Sequence, residues 1–412
     1  MKYYKRSDCR LCSSTNLKEV LKLTPTPPAD SYVNKENLKI QQDTIPLDLY
    51  LCLDCGHTQL GHVIDAVEVY SNYIYETAST LGLGSHFKKC ADVIMRKFKP
   101  TKEGLVIDIG SNDGILLKYF KDYGMNILGI DPMPDIAEKA TKNGIPTLSH
   151  FFSEEFSKKL RSKYGPAEVV TSNNLVADTD DLISFVKGIK NLMDKSSIFF
   201  FETFYFYLQV KNFVWDFTYH EHYSYFTIKP LKSFFNKQGM ELIDVEDNPT
   251  KGGSMRCTLQ LIGGNRQINK SVENHIKLEE KEGFQTQEIM KSYNKRIENS
   301  KNEFKNLFSK LLDKNNVIAG YGASATSTTL IYHYNMGKYL SYLVDDFTAK
   351  HKLYSPGFHI PVYASEYLYK KKPNYVVILA WRYAEKIINK NKKYLDEGGK
   401  FIIPLPKIKI IE

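Results

Sequence analysis

The chain has 412 residues, of which 42% are hydrophobic and 25% are charged, and its formal net charge is +9. This composition excludes a disordered chain and predicts a globular protein of roughly three domains. The basic excess is spread over lysine-rich helices, which argues against a nucleic-acid-binding stripe. No apolar run reaches the roughly 18 residues of a membrane span, and the N-terminus does not resemble a signal peptide. We therefore expect a cytoplasmic protein with neither a membrane nor a nucleic acid as partner.

Two Cys-x2-Cys pairs lie near the start of the chain. Cys9 and Cys12 form the first pair, and Cys52 and Cys55 form the second. Two such pairs supply the four thiolates of a closed tetrahedral zinc site. Because a closed site has no open coordination position, the ion would be structural. The segment 1–65 is rich in loops and poor in core residues, so we expect Zn²⁺ to stabilise its fold.

Short apolar segments alternate with amphipathic segments between about residue 85 and residue 265. This alternation predicts a doubly wound parallel sheet with helices on both faces. One of these helices is predicted at 181–193, and a further helix precedes the last two strands. The predicted strands cover 105–109, 127–130, 168–171, 198–201, 241–245 and 255–262.

The loop that follows the first of these strands runs from Asp108 to Gly114 and reads DIGSNDG. Gly110 permits a tight turn that presents backbone N–H groups to a ligand. Asp131 ends the next strand, where a carboxylate can accept both ribose hydroxyls of a nucleotide. Because the loop lacks GxGxxG, it favours S-adenosylmethionine (SAM) over NAD. The predicted cofactor contacts are Asp108, Gly110, Ser111, Asn112, Asp131, Phe152 (at the adenine) and Asn173.

A second alternation of strands and helices begins at Asn316 and predicts a smaller α/β unit. A long stretch with helical spacing precedes it. The predicted organisation is α/β throughout, after a small zinc-binding domain. The segments are the zinc-binding domain (1–65), a class I SAM methyltransferase domain with a doubly wound sheet (66–266), a helical connector (267–315) and a C-terminal Rossmann-like, substrate-binding domain (316–412).

The segment 215–226 concentrates titratable groups among aromatic residues. Histidine is the usual general base near neutral pH, a carboxylate such as Glu221 can orient an imidazole, and a tyrosine hydroxyl can bond to a developing enolate. Two alternatives stay open on these grounds. His220 and His222 could share one face of a strand and bind a metal, or a histidine here could be a hydrogen-bonded core residue.

With these motifs the chain resembles the sugar-nucleotide C-methyltransferases that make C-methyl branched deoxysugars. The resemblance extends along nearly the whole chain. It rests on the two cysteine pairs, the Asp108 loop and the Tyr219-His220-Glu221-His222 segment. It also rests on Gly252-Gly253-Ser254 and on Gly320-Tyr321-Gly322-Ala323-Ser324. The chain departs from the family pattern at Asp178 and Lys251, where histidine is usual, at Thr326, where lysine is usual, and at Arg382, where asparagine is common.

The resemblance implies that the enzyme transfers the methyl group of SAM to C3 of a 4-keto nucleotide-linked deoxysugar. His222 would remove the C3 proton beside Glu221, and Tyr219 and Tyr75 would stabilise the enolate. The implied substrate contacts are Tyr73, Tyr321, Ser324, Asp345 and Arg382. An O- or N-methyltransferase acting on a nucleotide sugar is one alternative. A zinc-ribbon nucleic-acid-binding protein is another, which acidic residues near the cysteines disfavour.

Overall fold

The computed structural model describes residues 3–65, 83–312, 314 and 316–412. Within these ranges the chain forms four β-sheets, two in its N-terminal part and one in each of the α/β parts that follow. Tyr73 and Tyr75, which the resemblance places at the substrate, lie outside the described residues. Among the helices that can be described, none has both the length and the apolar character needed to cross a bilayer.

The elements are numbered in chain order. The strands are β1 (Tyr3–Lys5), β2 (Leu17–Thr26), β3 (Ile45–Cys52), β4 (Thr58–Leu60), β5 (His62–Ile64), β6 (Leu105–Ile109), β7 (Asn126–Asp131), β8 (Thr147–Ser149), β9 (Ala167–Asn173), β10 (Met193–Phe204), β11 (Ser224–Tyr225), β12 (Met240–Asn248), β13 (Ser254–Leu261), β14 (Ile318–Tyr321), β15 (Leu340–Asp345), β16 (Val362–Ala364), β17 (Tyr375–Ile378), β18 (Lys400–Ile403) and β19 (Lys409–Ile411). The helices are α1 (Leu83–Phe98), α2 (Ile115–Asp122), α3 (Pro134–Lys142), α4 (Glu154–Tyr164), α5 (Leu182–Leu192), α6 (Phe206–Lys211), α7 (Ile228–Lys237), α8 (Lys270–Lys281), α9 (Gln287–Leu312), α10 (Ala325–His333), α11 (Tyr367–Lys371), α12 (Ala384–Lys390) and α13 (Lys392–Asp396).

The larger N-terminal sheet is antiparallel, with the strand order β11–β4–β3–β2. Leucines on one face of β2 and β3 pair across the strands, Leu21 with Leu49 and Leu23 with Leu47, and all four are buried. The edge strand β11 comes from the middle of the chain and pairs with β4. The zinc-binding region and the histidine segment therefore share one sheet.

The central sheet has the order β12–β13–β10–β9–β6–β7–β8, with β13 antiparallel to its neighbours. This confirms the predicted doubly wound sheet. The six predicted strands are all present, but β8 was missed because three residues without an apolar run give no strand pattern. The chain reverses direction across the sheet between β6 and β9, and ligands of such sheets bind at the carboxyl ends of the strands beside that point.

Local sequence signals set the helix starts around this sheet. The Ser153 side chain accepts the backbone N–H of Phe156 at the start of α4, and Asp181 does the same for Ser184 at the start of α5. Such caps satisfy N–H groups that have no partner within the helix. Pro134 occupies the first turn of α3, where its missing N–H costs nothing.

The C-terminal sheet has the order β16–β15–β14–β17–β18–β19 and is parallel except for β19. Its first strand, β14, confirms the second alternation predicted from Asn316. The preceding stretch is helical as predicted, because α9 buries Met290, Tyr293, Ile297 and Phe304 along one face. The boundaries assigned to the four segments stay a prediction.

The N-terminal part also contacts the C-terminal α/β part. Val33 and Tyr354 form an isolated β-bridge, and Thr328 Oγ1 donates to the Ala29 carbonyl at 2.7 Å. The buried Lys350 ammonium group forms an ion pair with Asp30. The N-terminal part therefore contacts the C-terminal α/β part here and the central part through β11.

Candidate active site and zinc centre

The four N-terminal cysteines converge on one point. Their Sγ atoms all lie within 4.8 Å of one another, and the Cys9–Cys55 and Cys12–Cys52 pairs are each 3.6 Å apart. In a tetrahedral site with Zn–S bonds of about 2.3 Å, the sulfur atoms would be about 3.8 Å apart. The donor set and its spacing therefore fit a structural zinc ion held by four thiolates.

A tight turn shapes each cysteine pair. Ser13, directly after the first pair, has a φ of 61° and donates its N–H to the Cys9 carbonyl at 2.8 Å. Gly56, directly after the second pair, has a φ of 81° and donates to the Cys52 carbonyl at 2.9 Å. These matching turns bring the two Sγ atoms of each pair to the same side of the backbone.

A cavity of about 490 Å³ opens at the carboxyl ends of β6, β7 and β9. This is the edge at which the doubly wound sheet is expected to bind its ligand. Residues of the N-terminal part, among them Tyr4 and Ile64, and residues of the central α/β part line it. The seven residues predicted from the sequence as cofactor contacts are all among them, namely Asp108, Gly110, Ser111, Asn112, Asp131, Phe152 and Asn173.

The loop after β6 is folded tightly against the end of β7. Gly110 has a φ of 73°, and its N–H and that of Ser111 donate to the Ile130 carbonyl at 2.8 and 3.1 Å. A Cβ atom at Gly110 would lie 3.0 Å from the Leu175 side chain. Glycine is therefore favoured here both by the backbone conformation and by the space.

Asp131 accepts a backbone N–H on each carboxylate oxygen. Oδ2 accepts from Asn112 at 2.9 Å, and Oδ1 accepts from Met133 at 3.0 Å. Burial raises the pKa of Asp131, and the two N–H donors oppose that shift. A carboxylate offers about four lone-pair sites, so each oxygen keeps the capacity to accept one ribose hydroxyl.

Asp108 makes a different contact. Its Oδ1 accepts from Thr171 Oγ1 at 2.7 Å, which links β6 to β9, and the residue is only 4% exposed. Burial raises the pKa of Asp108 to about 7, although the Thr171 hydroxyl opposes the shift. Asp108 thus supports the loop as well as lining the cavity.

Three buried polar atoms at the cavity have no hydrogen-bond partner among the residues that the structure describes. They are Ser111 Oγ and both side-chain amide atoms of Asn173. Native interiors rarely leave such atoms unpaired, so these are available to a bound molecule. Phe152 packs edge to face on Phe185 at 5.5 Å and supplies an apolar wall. A ribose-binding carboxylate, unpaired polar atoms and an apolar wall together fit SAM.

The histidine segment is a turn and not a strand. The His222 N–H donates to the Tyr219 carbonyl at 3.0 Å, and β11 begins two residues later. His220 Nε2 bonds to the Ile45 carbonyl at 3.2 Å, whereas His222 Nδ1 bonds to the Phe217 carbonyl at 2.9 Å. The alternative in which both histidines share a strand face is therefore wrong. Within the described ranges, the four cysteines are the side chains that lie close enough together to bind one metal ion.

These two hydrogen bonds fix the histidine tautomers, because a backbone carbonyl can only accept. His222 carries its proton on Nδ1 and keeps a lone pair on Nε2, as a general base requires. His220 instead carries its proton on Nε2, and its buried Nδ1 has no hydrogen-bond partner in the described part of the chain. Burial lowers the pKa of His222 to about 3 and that of His220 to about 4, so both rings are neutral near pH 7.

Aromatic rings surround His222. Its ring centroid lies 3.9 Å from that of Tyr219, 4.6 Å from Phe204 and 4.8 Å from Phe217. His222, Tyr219 and Glu221 all line the cavity that holds the predicted cofactor contacts. Three of the four predicted catalytic residues and the cofactor loop therefore meet in one place, while Tyr75 lies outside the described residues.

Two of the four departures from the family pattern lie in this cavity. Asp178 and Lys251 both line it, and Asp178 Oδ1 is 3.9 Å from His222 Nε2. The other two departures contact each other, since Arg382 Nη2 donates to Thr326 Oγ1 at 3.0 Å. None of these four residues has a catalytic role in the prediction from the sequence. The sequence feature that could have identified Asp178 as a site residue is its position just after β9, at the carboxyl edge of the sheet.

A second cavity of about 1090 Å³ lies between the central and C-terminal α/β parts. Its wall includes Arg296, Arg382, Lys407 and Lys409, a basic lining suited to an anion. Lys251 lines both cavities. Of the predicted substrate contacts that the structure describes, Arg382 lines this second cavity.

The other predicted substrate contacts in the described part lie at the carboxyl edge of the C-terminal sheet. Asp345 accepts the Ala323 N–H at 2.6 Å, Ser324 caps α10, and the Tyr321 hydroxyl donates to Asp346 at 3.1 Å. These bonds shape the loop after β14 in the way that Asp131 shapes the loop after β6. Their role toward a substrate stays a prediction.

Three domain models match the chain in sequence order. A zinc binding domain matches residues 9–70, a methyltransferase domain matches 84–245, and a C-methyltransferase C-terminal domain matches 249–406. The chain therefore combines a zinc binding domain, a methyltransferase domain and a C-methyltransferase C-terminal domain. It is a SAM-dependent methyltransferase whose cofactors are SAM and a structural zinc ion.

C-methyltransferase NovU from Streptomyces niveus is 26% identical over 405 residues, which cover 98% of this chain and 96% of that protein. A SAM-dependent methyltransferase from Anabaena variabilis is 12% identical, with a TM-score of 0.37 over 47% of this chain and 90% of that one. Magnesium protoporphyrin IX methyltransferase from Synechocystis, with bound SAH, is 12% identical, with a TM-score of 0.33 over 47% of this chain and 91% of that one. The structural likenesses are weak, so the assignment as a methyltransferase rests on the three domain matches.

The zinc centre predicts about one zinc ion per purified chain. Cys12→Ser should lose the ion and lower the thermal stability of the N-terminal part, because metal binding supplies folding free energy there. Cys90→Ser is the matched control, since Cys90 is a buried thiol outside the cluster and its loss should leave the zinc content unchanged. Elemental analysis and calorimetry measure both effects, and native protein free of zinc would contradict the assignment.

Asp131→Ala should weaken SAM binding by about 1.5–3 kcal/mol, because it removes a charged acceptor for the ribose hydroxyls. Isothermal titration calorimetry measures the affinity, and the melting temperature reports on the lost loop contacts. Asp135→Ala, at an exposed carboxylate in the first turn of α3, should bind SAM as the wild type does. Unchanged affinity in Asp131→Ala would show that the ribose binds elsewhere.

The environment of Glu221 predicts that the wild type and Glu221→Gln differ in stability by an amount that depends on pH. Burial, with Asp30 adding to it and Lys350 opposing it, raises the pKa of Glu221 from 4.5 to about 8. The folded protein thus binds the Glu221 proton more tightly than the unfolded chain does. The stability that this proton contributes is complete below about pH 4.5 and is lost as the pH rises to about 8. Glu221→Gln does not titrate, so it should gain stability over the wild type as the pH rises.

The gain should reach up to about 1.4 kcal/mol per pH unit, measured by urea unfolding at several pH values across this window. Glu36→Gln, at an exposed position, is the control and should show no such trend. A difference between Glu221→Gln and the wild type that is constant with pH would contradict the raised pKa.

Proposed function

We propose that this C-methyltransferase methylates C3 of a 4-keto nucleotide-linked deoxysugar in the cytoplasm, through base-catalysed enolate formation. The observation that carries the proposal is the position of His222. Its unprotonated Nε2 belongs to the same cavity as the residues that would hold SAM. Methylation at carbon requires a carbon nucleophile, and a base next to a ketone generates one by removing the acidic α-proton.

The same observation disfavours the O- and N-methyltransferase alternative. A hydroxyl or amine already carries a nucleophilic lone pair, whereas a carbon acid needs a desolvated, neutral base held in place. His222 has both properties, because it is 6% exposed and its Nδ1 is held by the Phe217 carbonyl. The C-terminal domain match and the relationship to C-methyltransferase NovU also support transfer to carbon.

The second cavity supports a nucleotide-linked substrate. Its basic wall, with Arg296, Arg382, Lys407 and Lys409, suits a diphosphate, and it adjoins the His222 cavity at Lys251. An extended molecule with an anionic nucleotide at one end and an uncharged keto sugar at the other would occupy both cavities. Arg382 is the predicted substrate contact that this arrangement supports.

The chain's own residues would act in three ways. His222 Nε2 takes the C3 proton, while the Phe217 carbonyl stabilises the imidazolium through Nδ1–H. The Tyr219 ring, tilted by 38° with its centroid at 3.9 Å, packs against the His222 ring and restricts its rotation. The aromatic wall excludes water and so strengthens every electrostatic contact with the developing enolate. SAM, when bound, supplies a methyl group on a positively charged sulfur atom, which a carbon nucleophile accepts.

A screen of 4-keto nucleotide sugars with SAM tests the proposal. Mass spectrometry should detect a product heavier by one methylene group, and NMR should place the new methyl group on C3. A methyl group on oxygen or nitrogen would instead support the alternative transfer and refute the enolate mechanism.

His222→Ala should reduce methylation by about 10²–10⁴-fold, the usual cost of removing a general base. SAM affinity should not change, because His222 is outside the ribose-binding loop. His275→Ala, at a histidine on α8 outside both cavities, is the matched control and should keep full activity. His220→Ala should reduce stability more than turnover, since His220 ties the turn to Ile45. Turnover near the wild-type value in His222→Ala would rule out His222 as the base.

A further inference from the structure

Asp178 is a partly buried carboxyl group that the mechanism above does not use. It ends a 3-10 turn, Val176–Asp178, that follows β9, and its side chain is 14% exposed. The turn is fixed on both sides, because the Asp178 N–H donates to the Leu175 carbonyl at 2.9 Å and the Tyr223 N–H donates to the Ala177 carbonyl at 2.8 Å. The carboxyl group therefore has a defined position in the cavity.

That position is next to the base. Asp178 Oδ1 lies 3.9 Å from His222 Nε2, too far for a hydrogen bond between them. Among the described residues, Asp178 supplies the carboxylate within ion-pair distance of this nitrogen, and Glu221, although adjacent to His222 in sequence, does not. The two groups therefore line the cavity side by side without bonding to each other, so both can contact one molecule bound in it.

We propose that Asp178 is a second catalytic residue for the enolisation, donating a hydrogen bond to the C4 carbonyl oxygen while His222 removes the C3 proton. This inference rests on the proposed function. In a ketone the α-carbon and the carbonyl oxygen are about 2.4 Å apart. A base about 3.0–3.5 Å from the carbon and a donor about 2.7 Å from the oxygen can therefore be separated by the observed 3.9 Å.

The electrons of this step balance within the pair of residues and the substrate. The C3–H bond breaks and its proton goes to Nε2 of His222. The electron pair left on C3 forms the C3–C4 double bond, and the carbonyl π pair moves to the C4 oxygen. The proton of the Asp178 carboxyl group is then shared with that oxygen, which stabilises the new charge.

The electrostatic surroundings keep Asp178 in the protonated form that donation requires. Burial raises the pKa of Asp178 well above its ordinary value, Glu221 raises it further, and Lys251 opposes the shift. Tyr223 and Tyr225 also interact electrostatically with this carboxyl group. Burial lowers the pKa of the neighbouring His222. Opposite shifts in one cavity are typical of an acid and a base that act together.

Exchange of the C3 hydrogen with deuterated water tests the role of Asp178 directly. A 4-keto nucleotide sugar that the wild type methylates is incubated with enzyme and S-adenosylhomocysteine in place of SAM, and deuterium uptake is followed by mass spectrometry. Asp178→Ala should slow exchange and turnover about 10²–10³-fold, as loss of an oxyanion donor does. Asp178→Asn should be milder, since its amide N–H can still donate.

The pH dependence separates this role from a structural one. Wild-type exchange should decline at alkaline pH as Asp178 ionises, and Asp178→Asn should lose this decline because an amide does not titrate. SAM affinity should stay at the wild-type value in both variants, which confirms that they are folded. Asp396→Ala, at an exposed carboxylate on α13 outside both cavities, is the matched control and should exchange as the wild type does.

The outcomes are distinguishable. If the wild type exchanges the C3 hydrogen and Asp178→Ala exchanges it at the same rate, Asp178 has no catalytic role, and the proposed function still stands. An alkaline decline that persists in Asp178→Asn also overturns the role of Asp178. A wild type that methylates oxygen or nitrogen and exchanges no C3 hydrogen overturns the proposed function itself.

Discussion

The pairing of β11 with β4 is the constraint on which the active site depends. Tyr225 pairs with Thr58, and the Leu60 N–H donates to the Tyr223 carbonyl at 2.9 Å, directly after His222. Strand β4 itself begins three residues after Cys55, at the second cysteine pair. The zinc centre therefore stabilises the strand that fixes the histidine turn, so its structural role extends to the position of the base. Loss of zinc would disturb the chemistry without touching the SAM-binding loop.

The C-terminal part holds the other end of the same segment. Asp216 is fully buried and accepts from Trp381 Nε1 at 2.9 Å and from Arg382 Nη1 at 3.0 Å. Thr329 Oγ1 donates to the Thr218 carbonyl at 2.8 Å. Removing one partner of such a buried charged pair is costly, because the other charge is left without compensation. The histidine turn is thus held from two sides by parts of the chain far apart in sequence, which gives the precise positioning that a catalytic group needs.

The features that sequence analysis predicted correctly are those encoded locally. The cysteine spacing, the loop from Asp108 to Gly114 and the strand ending at Asp131 each carry their own pattern. The failures involve contacts that no local pattern encodes. Strand β11 is two residues long and pairs with a strand more than 160 positions earlier, so periodicity gives no sign that the histidines lie in a turn. The approach of Asp178 to His222 likewise depends on two turns from separate segments meeting at one sheet edge.

The charge state of the cavity explains why the site needs such firm support. Burial disfavours the charged forms of His222, Asp178 and Glu221, so the histidine is neutral and these two carboxyl groups hold their protons. Such groups cost folding free energy at neutral pH, because an unfolded chain would ionise the carboxyls freely. Their protonation has a catalytic benefit, since a carboxylate anion in this cavity would favour the cationic methyl donor over a transition state in which that charge is lost. The β11–β4 pairing and the hydrogen bonds of Asp216 offset this cost by holding the histidine segment in one conformation.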